Sequence, residues 1–198
     1  YSFCMCPGGF IVPAATDNGE VVVNGMSPSR RNNKFANSGI VVELDIDKDF
    51  KKYESYGPLR GLEFQKDLEK ISYYAGGRTQ TAPAQRVTDF VEGRLSTNLN
   101  DSSYQPGLKS APLHSLLPKI IGSRLRKGFA AFGQKMHGYY TACYYRPSIF
   151  PDAFSVRHVN FSVKFLGGKK ATLSLYHARP PSAQALTQGC SFPCYSQL

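Results

Sequence analysis

Two cysteine pairs are the first residues whose type and spacing could do chemistry: Cys4-x-Cys6 near one end and Cys190-x3-Cys194 near the other. Four thiolates could hold a zinc ion, although neither spacing is the two-residue knuckle usual for such sites. In a strand, Cys4 and Cys6 point to one face, where a thiol pair could be redox-active. No helix start, Lys or Arg adjoins them to favour the thiolate. Buried small residues beneath a turn are the simpler reading. Pro7-Gly8-Gly9 follows at once, and its two glycines permit positive φ and close approach of bare backbone amides to a ligand.

Other chemistry is thinly represented. The four histidines, His114, His137, His158 and His177, stand apart from one another and from acidic pairs, as surface residues do. No Gly-x-Gly-x-x-Gly, Walker loop or His-Glu-x-x-His occurs. The basic stretches Ser29–Lys34 and Arg124–Lys127, with 12 tyrosines and 13 phenylalanines, could touch phosphates and stack on bases. No RNA-binding signature accompanies them, and solvated loop and helix faces explain the charges more simply.

The elements that must position these residues fall in two zones. Tyr1–Cys6, Phe10–Ala14 and Glu20–Val23 read as short strands, with Asn24-Gly25 suited to a primed turn. Gly39–Ile46 is the strongest strand, rich in β-branched residues. A helix is expected after Pro58, with Leu59, Leu62, Leu68, Ile71 and Ala75 facing inward and Gly76-Gly77 stopping it. Gln85–Leu95 suggests a second helix, with Val87, Phe90, Val91 and Leu95 inward; Ser96–Ser110 suggests a loop. A short helix at His114–Leu117 precedes a longer one carrying Ile121, Leu125, Phe129, Phe132 and Met136 in an i, i+4 ladder. Strand-like pieces follow at Ala153–Phe165 and Ala171–Tyr176, amid shallow patterning, and residues 178–198 read as a low-order tail.

At 198 residues the chain is one domain or a little more, and no apolar run is long enough for a transmembrane helix. Five cysteines are odd in number and sparse for a secreted disulfide scaffold, so a reducing cytoplasm is expected. The net charge is +10, half of it from residues 141–198, whose six Lys/Arg face the single acid Asp152. The first residue is Tyr1 and no signal peptide is evident, so the chain is expected to start inside a longer protein.

Several stretches together resemble the bacterial and plastid FAD-dependent dehydrogenases or oxidoreductases, a family without an assigned substrate. They are "YSFCMCPGG" (1–9), "NGMSPSRR" with "NSGIVVEL" (24–44), "GPLRGLEFQKDLE" with "AGG" (57–77), "APAQRVTDFVEGRLS" (82–96) and "SYQPGLKSAPLHSLLP" (103–118). The resemblance continues through "LRKGFAAFGQKMHGYYT" to Thr141, then stops. It implies that residues 1–141 are the substrate or cap domain following an N-terminal FAD-binding domain, whose glycine fingerprint this sequence lacks. The family's motifs that return to the flavin domain are also missing, which makes residues 142–198 a divergent or frame-shifted tail.

The expected fold is α+β: an antiparallel sheet from residues 1–46 with a helical cap from 58–137, a fragment of a two-domain flavoprotein. The resemblance places Cys4, Cys6, Pro7, Gly8 and Gly9 near the flavin as a source of backbone amides. It places Asn24, Gly25, Met26 and Ser27 there as side-chain contacts. FAD and an unknown small-molecule substrate are the implied partners of the parent, with this chain inactive and unable to retain FAD alone. Neither metal nor membrane is expected; a basic nucleic-acid-binding module is the alternative, though it leaves residues 57–118 unexplained.

Overall fold

The run Gly39-Ile40-Val41-Val42 is apolar on consecutive positions, a pattern that suits a strand covered on both faces. In the computed structural model, which describes residues 2–135, 160–165 and 170–179 and the side chains of 6–135, this run lies in the ten-residue strand β4 (Ala36–Asp45). Asn37 to Val42 are all buried. On one edge β4 pairs with β1 (Ser2–Pro7), with an irregularity between Phe3 and Cys6. On the other it pairs along its whole length with β8 (Lys170–Arg179), from Ala36 opposite Arg179 to Asp45 opposite Lys170. β7 (Asn160–Phe165) completes an antiparallel sheet of order β1-β4-β8-β7. Both C-terminal strands overlap the strand-like pieces of the sequence; the rest of 136–198 lies outside the described residues.

Period two sends Ile40, Val42 and Leu44 into the main core. They meet α1 (Ile46–Asp49), whose N-cap Asp45 accepts from the amides of Asp47 and Lys48. A 3-10 segment (Lys51–Leu59), kinked at Gly57, leads into α2 (Arg60–Gly76). Phe50 and Phe64 meet edge to face with centroids 4.5 Å apart. The core continues through α3 (Val87–Glu92), α4 (Leu113–Leu116) and α5 (Lys119–Lys135), with Phe90, Leu113, Ile121, Leu125 and Phe129 buried. The Ile121-Leu125-Phe129 ladder faces inward as expected.

A smaller core of Ile11, Val21, Val23, Phe35, Ala82 and Tyr104 lies beneath a two-stranded sheet of β2 (Phe10–Pro13) and β3 (Val23–Met26). The class is therefore α+β. Among the described residues no helix is long and apolar enough to cross a membrane.

Four local expectations are corrected. The buried face of α2 runs through Gly61, Phe64, Leu68, Ser72 and Gly76, while Leu62 is 42% exposed and Leu59 and Ile71 also face out. Phe64 decides the rotation, because its ring against Phe50 buries more surface than any leucine of the other stripe. Asn24-Gly25 forms no turn: both residues pair within β3, opposite Val12 and Ile11. Burial of Val21 and Val23 pulls the strand forward and leaves residues 14–22 as the connection. Leu95 is exposed because Gly93, at φ +76, ends α3 before it. Within the expected loop 96–110, β6 (Leu108–Ser110) pairs in parallel with β5 (Ala82–Ala84).

Candidate functional site

β1 ends in the turn Pro7-Gly8-Gly9, which reverses the chain into β2. Gly8 has φ +69, and the Gly9 amide donates to the Cys6 carbonyl at 3.1 Å. Phe10 then pairs with Met26, so the turn lies beside the far end of β3. Asn37 of β4 locks this meeting: its side-chain amide donates to the carbonyls of Phe10 (3.1 Å) and Met26 (2.9 Å). At 2% exposure, it spends both donors inside the protein.

Two segments separated in sequence, Cys6–Gly9 and Asn24–Ser27, thus form one lip. Met26 is 44% exposed there, Ser27 is exposed, and Pro7, Asn24 and Gly25 are half-buried. Cys6 is a buried free thiol. Cys4 is placed by its backbone in β1; Cys190 and Cys194 lie outside the described residues. Arg31, at φ +45, and Arg30 extend the lip as exposed cations. Sequence reasoning missed Asn37 and the Arg31 backbone. The only signal for Asn37 was a polar residue entering the strongest strand.

The glycines were expected to bring bare amides to a ligand, and the geometry assigns their space differently. A Cβ on Gly8 would collide with the Arg31 carbonyl, and one on Gly9 with the Asn37 side chain and the Met26 carbonyl. The Arg31 and Met26 backbone and the Asn37 side chain fill the Cβ side of the two glycines, and the Gly9 amide is already engaged. Besides the arginines, the lip offers outward the Ser27 hydroxyl, the half-buried Pro7 and the Met26 side chain, whose sulfur accepts from the Asn24 side-chain amide at 4.0 Å. These groups fit contact with an edge of a planar apolar ring. No glycine-rich strand-to-helix turn for a pyrophosphate occurs among the described residues.

Two further polar clusters escaped the sequence. Gln85 binds the Nδ1 of His114 (2.7 Å) and accepts from its backbone amide (3.1 Å). Burial, then the charge of Arg126, lowers the His114 pKa and favours the neutral ring. Nearby, Asp89 accepts from Arg94 (2.9 Å) and Ser96 (2.7 Å), while Ser96 accepts from the Arg86 amide (2.9 Å). The stretches 82–96 and 103–118 thereby converge on one well-bonded network, which fastens α3 to α4.

The second cluster joins Glu20, just before β3, to Glu69 of α2, carboxyl against carboxyl. Burial and the neighbouring Glu20 push the Glu69 pKa up to about 7, against opposing help from Gln65 and Lys66. A separate cavity of about 320 Å³ lies between β4 and α5, lined mainly by Ile40, Val42, Leu125 and Phe132. No group of three or more His, Cys, Asp or Glu suited to a metal occurs among the described residues.

Comparison with known proteins connects the chain to one lineage. An uncharacterized protein of Clostridium beijerinckii is 42% identical over 141 residues, 70% of this chain. The chain spans only 26% of that relative's length. The family described as FAD-dependent protein, C-terminal domain-like, matches residues 1–144. That match covers most of the folded core, and the chain belongs to this FAD-dependent protein C-terminal domain-like family.

Proposed function

We propose that this chain is the substrate-facing or cap part of a cytoplasmic flavin-dependent oxidoreductase, a dehydrogenase acting on a small molecule, and that the lip faces the flavin. The observation that carries this reading is the Asn37 lock, which builds one outward-facing edge from the two segments Cys6–Gly9 and Asn24–Ser27. When bound, the flavin supplies hydride or electron transfer. The chain's residues contribute position: Met26 and Pro7 would cover the ring and exclude water, and Ser27 would offer a hydroxyl hydrogen bond. Gly8, Gly9 and Asn37 hold the edge in shape without touching the cofactor, and Cys6 packs behind it. The absence of a pyrophosphate cradle among the described residues supports the further reading that the chain alone neither retains FAD nor turns over.

The test compares the 198-residue chain with the longer polypeptide carrying it. The chain should purify colourless and leave the fluorescence of added FAD unquenched. The longer protein should be yellow, and Met26→Lys within it should shift the flavin absorbance band and weaken FAD retention at least severalfold. Stoichiometric FAD on the short chain would overturn its dependence on the parent. An unaltered flavin spectrum and affinity in the Met26→Lys protein would overturn the placement of the lip.

A further inference from the structure

Glu20, three residues before β3, and Glu69 of α2 bring their carboxyls together where water is scarce: Glu20 is 2% exposed and Glu69 is 7% exposed. The groups around them do not neutralise two charges. Gln65 donates to Glu69 Oε1 at 2.8 Å, and the Gln80 side chain donates to the Glu20 backbone carbonyl at 3.0 Å. Tyr104, from the segment before β6, spends its hydroxyl on the Gln80 carbonyl. Lys66 is the cation acting on Glu69, but it is partly exposed and is 4.0 Å from Glu63. Glu20 Oε1 is buried with no hydrogen-bond partner.

Two ionised carboxylates cannot share such a place, because each loses hydration and repels the other. With one proton between them, the same contact becomes a hydrogen bond from acid to carboxylate, stronger than a neutral pair. The contact has a mechanical position as well. The amide of Val21, next to Glu20, donates to the Glu69 backbone carbonyl at 3.2 Å. Val21 and Val23 follow directly into the small core, and β3 leads on to Met26.

We propose that Glu20 and Glu69 form a proton-operated clasp: one shared proton holds the start of β3 against α2, and its loss releases that strand end. Opening would loosen residues 20–23 and, through β3, the Asn24–Ser27 edge of the lip. The clasp stands without the flavin reading; only its effect on a bound flavin rests on that reading.

Hydrogen exchange and thermal unfolding of the full chain between about pH 5 and pH 8 test it, with no flavin present. The opening equilibrium at the Val21 amide, corrected for intrinsic exchange, should rise by at least about tenfold across the range, as expected for a group with a raised pKa. The melting temperature should fall alongside. Glu69→Gln supplies a permanent donor and should flatten both profiles; Glu20→Gln should do the same from the other side. If either variant fails to fold, the other and the wild-type Val21 profile still decide. A wild-type profile flat across the range, or Gln variants that keep the full wild-type slope, would overturn the clasp.

Discussion

Asn37 holds the lip through two donors on one planar amide, each aimed at a carbonyl from a different strand. Its removal leaves those carbonyls buried and unpaired, a loss of roughly 1–3 kcal/mol for each orphaned group. Asn37→Ala should therefore lower the unfolding free energy by roughly 2–4 kcal/mol in a denaturant titration. Asn37→Asp should be worse near neutral pH, because a carboxylate presents only acceptors to two acceptors. Its deficit should shrink in acid, where the protonated group regains one donor. An Asp variant as stable as Ala at neutral pH would show that the amide is not donating. At this scale the Pro7-Gly8-Gly9 turn was legible in sequence, since its residue types demand a sharp reversal. Asn37 and the Glu20–Glu69 pair were not, because each acquires meaning only from a partner far along the chain.

Among elements, α2 shows how a clear period can still leave the wrong face inward. The expected inward set of Leu59, Leu62, Leu68, Ile71 and Ala75 mixes an exposed stripe through Leu59, Leu62 and Ile71 with the buried one through Gly61, Phe64, Leu68 and Ser72. Spacing alone did not separate the two. Packing chose the second, because Phe64 finds Phe50 and Tyr53, while Gly76 lets the Thr81 carbonyl approach closely. Leu68→Ala should cost roughly 2–5 kcal/mol, and Leu62→Ala should stay within about 0.5 kcal/mol of wild type. Equal losses at the two positions, measured by chemical denaturation, would contradict this orientation. The α5 ladder was legible because Ile121, Leu125 and Phe129 meet no competing stripe of comparable bulk.

The whole molecule depends on a sheet drawn from distant parts of the chain. β4 takes β1 on one edge and the full length of β8 on the other, so residues beyond Thr141 complete its hydrogen bonding. Class and the order of helices were readable locally, whereas this pairing spans most of the sequence and left only weak alternation as its trace. Reading 142–198 as a divergent or frame-shifted tail and the β4–β8 ladder make different forecasts for a chain cut after Thr141. From the ladder, the shortened chain should lose cooperative unfolding or aggregate, because ten residues of β4 would present an unpaired edge. A cut chain melting at the full-length temperature would show that the ladder carries no stability.

That ladder also sets a timetable for synthesis. Asp45 leaves the ribosome well before its partner Lys170, which follows only after α1 to α5 have been made. Throughout that interval β4 has a neighbour on one side alone, and its apolar run is open to any strand that arrives first. The helices, with their local contacts, can gather around it within this window. The nascent chain thus meets its greatest hazard between the synthesis of β4 and that of β8, and pairing with β8 brings it to an end.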